Sequence, residues 1–124
     1  MWDASALLLV VNDEPGGKAL ADDLEGAVVS SVNLAEVVSK LADAGLPEDA
    51  LREALGAMPL EVVAFDEATA FAAGLLRPAT RAHGLSLGDR ACLGLAATMA
   101  LPVVTADRAW QRLQLGIEIR VARA

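Results

Sequence analysis

The chain reads as an α/β protein in three layers, with helices on both faces of a central parallel sheet of about five strands. Three observations predict this. Short apolar runs of strand length alternate along the chain with longer segments of helical spacing, the order that generates a mostly parallel sheet covered on both sides. The 124 residues fall within the usual range of one domain, and no repeat, low-complexity tract or linker divides them, so residues 1–124 read as a single domain. Finally, four acids, Asp3, Glu36, Asp89 and Asp107, fall where a strand gives way to a helix or in a helix's first turn. In open parallel sheets that rim, outside the carboxyl ends of the strands, is where ligands bind.

The elements follow in order. A strand stub at Met1-Trp2 runs into Asp3, which precedes the apolar Ala-Ser-Ala-Leu-Leu. Ala27-Val28-Val29-Ser30 is the second strand, and Leu34, Val37, Val38 and Leu41 then recur at helical spacing until Gly45 and Pro47. A helix over 47–58 opens with Pro-Glu-Asp, a sequence suited to a helix start. Glu61-Val62-Val63-Ala64 is a strand, and Asp66 caps a helix running through Phe71 towards Arg77, with Pro78 to end or kink it. Residues 88–99 are apolar almost all round and predict a buried helix. Pro102-Val103-Val104-Thr105 and Ile117-Glu118-Ile119-Arg120-Val121 are the last strands.

Composition narrows the classes. The chain is 55% hydrophobic but has no run of 18 apolar residues, so no membrane span is expected. Asp3 interrupts anything like a signal peptide, and a cytoplasmic location is the default. The single cysteine, Cys92, rules out an internal disulfide and sits in an apolar run as a buried thiol. The single histidine, His83, lies in a loop before Gly84 with no second soft ligand near it, which argues against zinc and against a serine triad.

The net charge of −7 argues at first against a nucleic-acid partner, because affinity for phosphate normally comes from Lys and Arg. Bound cations would neutralise part of that charge, however, and the bases concentrate near the acids. Arg77, Arg81 and Arg90 flank Asp89, and Arg108 adjoins Asp107. Their plain reading is solvated helix charge; the alternative is a phosphate grip.

Each acid also has a local explanation. Asn33-Leu34-Ala35-Glu36 and Ser86-Leu87-Gly88-Asp89 both fit a capping box. Asp3 and Asp107 suit helix caps. Independent caps have no reason to gather on one edge of one sheet, and it is the gathering that points to a metal. Paired carboxylates 4 Å apart repel by about 1 to 4 kcal/mol for effective dielectrics of 80 down to 20. A hard cation relieves this, and an all-oxygen ligand set suits Mg²⁺ or Mn²⁺. Such ions activate water and stabilise the oxygens of a phosphodiester undergoing hydrolysis.

Four ordered segments carry a family resemblance: Asp3-Ala4-Ser5-Ala6-Leu7-Leu8, Ser31-Val32-Asn33-Leu34-Ala35-Glu36-Val37, Leu85-Ser86-Leu87-Gly88-Asp89-Arg90-Ala91-Cys92-Leu93 and Val104-Thr105-Ala106-Asp107-Arg108-Ala109-Trp110. Together they resemble the PIN-domain ribonucleases, and most closely the VapC-type toxins of bacterial toxin-antitoxin pairs. The resemblance implies a PIN-like sheet with strand order 3-2-1-4-5. It also implies an Mg²⁺ or Mn²⁺ site held by Asp3, Glu36, Asp89 and Asp107, which would be the catalytic acids. Ser5, Asn33 and Thr105 match polar positions supporting those acids, although a helix cap also explains Asn33. The implied activity is cleavage of RNA, the implied assembly a homodimer, and the implied inhibitor a small cognate antitoxin. Only Met1 and Trp2 precede Asp3, so the first strand must be very short.

Two other readings stay open. A haloacid-dehalogenase-like phosphatase with Asp3 as nucleophile needs an aspartate at position 5, where the chain has Ser5, and a later lysine, whereas the only lysines are Lys18 and Lys40. A non-catalytic α/β interaction module needs the acids only as caps. With 55% hydrophobic residues but only two Trp and two Phe, the chain has more apolar positions than five short strands and one buried helix hide. The helices over 32–44 and 47–58 are expected to carry the excess as an interaction surface.

Overall fold

The computed structural model describes residues 1–122. In order, it contains α1 (Ala4–Val11), α2 (Gly17–Ala21), β1 (Val28–Ser30), α3 (Ser31–Asp43), α4 (Glu48–Gly56), β2 (Glu61–Val63), α5 (Glu67–Leu75), α6 (Arg77–Thr80), α7 (Leu87–Met99), β3 (Val103–Thr105) and β4 (Ile119–Val121). Single 3-10 turns occupy Arg81–His83 and Arg108–Arg112.

β1 pairs in parallel with β2, and β3 in parallel with β4. The Met1–Asp3 stub joins the two pairs. The Trp2 amide donates to Val28 O (2.8 Å), the Val104 amide to Met1 O (2.7 Å) and the Asp3 amide to Val104 O (3.1 Å), and Trp2 bridges Val104 in parallel. The spatial order is therefore β2, β1, stub, β3, β4. Counting the stub as first strand, this is the expected order 3-2-1-4-5, achieved with strands of only three residues.

Successive strand residues point to opposite faces of a sheet, and the two cores show it. Trp2 and Val29 pack with α1, α2, α3 and α4 residues including Leu7, Leu20, Val37 and Leu51. Their neighbours Met1 and Val28 pack on the other face with Leu85, Cys92, Leu93, Val103 and Trp110. The expected three layers follow from this alternation.

The expected helix over 88–99 is buried only in part. Its Ala91–Ala96 stretch is buried, but the chain from Ala97 to Ala100 is exposed, as is Leu87 at its start. Pro78 falls in a separate turn of helix, because α5 stops at Leu75. Among the described residues no helix is long and apolar enough to cross a membrane.

Candidate active site

Asp3 ends the stub and caps α1. Its Oδ1 accepts from the Ala6 amide (2.9 Å), Ser5 Oγ donates to the same carboxylate (2.7 Å), and Thr105 Oγ1 donates to Oδ2 at 2.5 Å. The side chain is only 4% exposed. Burial pushes its pKa up, hydrogen bonds from Thr105, Ala6 and Ser5 oppose that shift, and the nearby charge of Asp89 adds to it.

Thr105 and Ser5 tie Asp3 to the end of β3. The Asp107 amide donates to Thr105 Oγ1 (3.1 Å), and the Ala106 amide donates to Ser5 Oγ (2.9 Å). Asp107 itself is exposed and caps the following 3-10 turn through Ala109 (2.9 Å).

Glu36 and Asp89 meet the same rim from α3 and α7. The expected capping box at Asn33 and Glu36 is not formed. β1 runs into α3 without a loop, so Ser30 is the cap and its Oγ accepts from the Val32 amide (3.2 Å). Asn33 is thereby freed for a long-range role: its Nδ2 donates both to Glu36 Oε1 (2.9 Å) and to Gly88 O (3.0 Å), 55 residues away. Asn33 is 1% exposed, and its Oδ1 has no protein partner. The second expected capping box does form, with Asp89 Oδ2 accepting from the Ser86 amide (2.9 Å) and Ser86 Oγ from the Asp89 amide (3.1 Å).

Cys92 feels the charge of three of these acids. Its thiol is fully buried, and its pKa is pushed well up by that burial first, then by the charges of Asp3, Asp89 and Glu36, against the opposing N-terminal amine. The carboxylates of Asp3, Glu36 and Asp89 thus all bear on one buried side chain, while Asp107 is linked to Asp3 only through its backbone amide on Thr105. As placed, however, no three His, Cys, Asp or Glu side chains among the described residues lie close enough to share an ion. The residues suit Mg²⁺ or Mn²⁺ in donor chemistry, being hard oxygens. An ion would compete for those oxygens with the protein hydrogen bonds they now hold.

The arginines divide. Arg77, Arg81 and Arg108 are exposed. Among the described residues the ion pairs are Arg52–Glu48 and Arg120–Glu118, which leave all three available. Arg90 is different: it is partly buried, and its Nη1 donates to the Ala73 carbonyl of α5 (3.4 Å). Sequence reasoning passed over Gly88, whose signal was a helix-weakening residue in the first turn of a helix.

α3 and α4 form the expected apolar surface, a groove of about 760 Å³ lined by Leu34, Val38, Leu51, Leu55, Met58 and Val62 among others. The most exposed large apolar side chains lie elsewhere, however, on α5: Phe71 and Leu75, 65% and 75% exposed.

The PIN domain family model matches residues 1–115. No curated protein matches the sequence. Among solved structures, the fold is similar to a DNA-bound VapBC from Salmonella typhimurium (TM-score 0.77, 24% identity, 98% of this chain and 96% of that one). It is also similar to VapBC2 from Rickettsia felis bound to a promoter DNA fragment (0.75, 17%, 99% and 98%). A third similar structure is a toxin-antitoxin complex from Klebsiella pneumoniae (0.74, 18%, 97% and 94%).

Proposed function

Because the chain belongs to the PIN domain family, we propose that it is a metal-dependent endoribonuclease and the VapC-type toxin of a toxin-antitoxin pair, acting in the cytoplasm. The observation that carries this reading is that Glu36 stands against Gly88 in the first turn of α7, next to Asp89, on the rim where Ser5 and Thr105 hold the Asp3 carboxylate.

In this reading Asp3, Glu36, Asp89 and Asp107 hold Mg²⁺ or Mn²⁺, which when bound supplies Lewis-acid stabilisation of a phosphodiester and a water of lowered pKa. The chain's own residues do the rest. Ser5 and Thr105 orient Asp3 by donating to its carboxylate, and Asn33 orients Glu36. Exposed Arg77, Arg81 and Arg108 draw the RNA backbone to the rim, so that binding is salt-dependent and insensitive to base sequence. The α3–α4 groove takes an apolar segment of the cognate antitoxin, a reading supported by the toxin-antitoxin complexes whose fold this chain shares. In isolation two copies pair and cover apolar side chains such as Phe71 and Leu75.

The decisive experiment is Asp89→Asn. It should abolish most Mg²⁺-dependent cleavage of RNA while the protein stays folded, since an asparagine at this position can still accept from the Ser86 amide in the capping box. A folded Asp89→Asn protein that cleaves RNA at the native rate sinks the assignment. A native protein whose calorimetric titration shows no Mg²⁺ or Mn²⁺ binding favours the acids as caps alone. Light scattering of the isolated chain tests the pairing, and a monomer at all concentrations removes that part.

A further inference from the structure

Three glycines lie where an added Cβ would meet other atoms, and the obstacles differ in kind. At Gly17 the nearest atom is a backbone oxygen, Leu9 O at 2.3 Å, and at Gly94 it is Ala73 N at 2.9 Å. Both positions let one helix approach another, so their constraint is on the fold. At Gly88 the three nearest atoms all belong to one carboxylate: Glu36 Oε1 at 2.3 Å, Cδ at 2.6 Å and Oε2 at 2.8 Å. None of the three is a backbone atom.

We propose that Gly88 is a positioning residue: its missing side chain makes room for the Glu36 carboxylate on the first turn of α7, and so sets where the second acid stands relative to Asp89. The functional weight of this inference rests on the metal-site reading above; the geometry does not.

Two features support it. Asn33 ties the same pair together, its Nδ2 bridging Glu36 Oε1 (2.9 Å) and Gly88 O (3.0 Å) from a site 1% exposed. The Asn33 carboxamide therefore holds Glu36 against Gly88, and a side chain at 88 would push directly against that clamp. In addition, Gly88 does not have the positive φ that calls for glycine in a turn. It sits inside a helix, where alanine is the better helix former. Backbone conformation thus gives no reason for glycine, while Glu36 does. The positive end of the α7 dipole favours a carboxylate at this first turn.

The test is a double-mutant cycle on the metal-free full chain, read as melting temperature, with calorimetric Mn²⁺ titration beside it. In the native background Gly88→Ala should give a less favourable change in melting temperature than it does without Glu36, because the added methyl must push the Glu36 carboxylate out of its clamp. In a Glu36→Ala background the same substitution should raise the melting temperature, because only the helix-propensity gain of alanine remains. Mn²⁺ affinity should fall about 10-fold or more on Gly88→Ala and not change further when Gly88→Ala is added to Glu36→Ala. Equal shifts of melting temperature in the two backgrounds overturn the proposal. If Gly88→Ala alone fails to fold, folding of the double variant supports the proposal and its failure to fold overturns it. A native chain that binds no Mn²⁺ defeats the metal-site reading instead, and the melting-temperature cycle still decides the role of Gly88.

Discussion

Thr105 Oγ1 donates to Asp3 Oδ2 at 2.5 Å across 102 positions of sequence, and both side chains are buried. The same hydroxyl accepts from the Asp107 amide, so one threonine couples the first candidate acid to the backbone of the fourth. A buried carboxylate that loses a donor keeps its desolvation penalty. Thr105→Val should therefore destabilise the protein by about 1–3 kcal/mol in chemical denaturation, and Thr105→Ser should recover most of the loss. A loss in Thr105→Ser with none in Thr105→Val, which keeps the γ-methyl, would place the effect in that methyl's packing rather than in the hydroxyl.

Arg108 and Arg90 should behave differently, although both neighbour a candidate acid. Arg108 is exposed, and Arg108→Ala should lower the slope of RNA affinity against salt by about one unit with stability unchanged. Arg90 is anchored on the Ala73 carbonyl, so Arg90→Ala should also reduce thermal stability by loosening α7 from α5. Binding isotherms at several salt concentrations, paired with melting curves, separate the two.

Asp66 caps α5 by accepting from the Thr69 amide and hydroxyl (2.9 and 3.0 Å). The Thr69 backbone hydrogen bond first, then its side chain, holds the Asp66 carboxyl below the usual range. A depressed pKa in the folded state means stability present above the ordinary aspartate pKa of about 4 and lost as the pH falls through the lower folded value. Asp66→Asn keeps a cap but removes the charge. The melting-temperature advantage of the native chain over this variant should be largest at neutral pH and shrink below about pH 4.

Ala100 ends α7 in the left-handed region with φ of 53°, a conformation costly for any residue with a Cβ. Ala100→Gly should stabilise the fold by about 0.5–1 kcal/mol, read from the denaturation midpoint at unchanged slope. A loss of stability would mean that the flexibility glycine adds to the unfolded chain outweighs the relief.

Val62 is 47% exposed on β2 and lines the α3–α4 groove. Val62→Asp puts a charge in that groove without opening a core cavity. It should weaken binding of the proposed cognate antitoxin by at least 10-fold in affinity, with melting temperature unchanged. Undiminished affinity would place the proposed antitoxin site elsewhere on the surface.

Sequence by itself determined what local chain geometry encodes. The alternation of apolar runs and helical spacing specified the parallel sheet and its two coverings, and the Ser86–Asp89 capping box formed as read, because a cap closes within one turn. The placement of Asp3, Asp89 and Asp107 at helix caps or in a first turn was legible for the same reason, whereas Glu36 falls in the second turn of α3, because that helix already begins at Ser31. Tertiary structure decided everything that depends on which surfaces meet. Asn33 left its expected capping box because β1 runs into α3 without a loop, and it reached Gly88 across 55 residues instead. The carboxylate of Glu36 took the space beside Gly88, Arg90 turned onto α5, and Phe71 and Leu75 stayed outside the core. Hydrophobic period and capping patterns act over three or four residues, whereas these contacts are set by how α3, α5 and α7 dock on one another and on the sheet, a geometry no local pattern records.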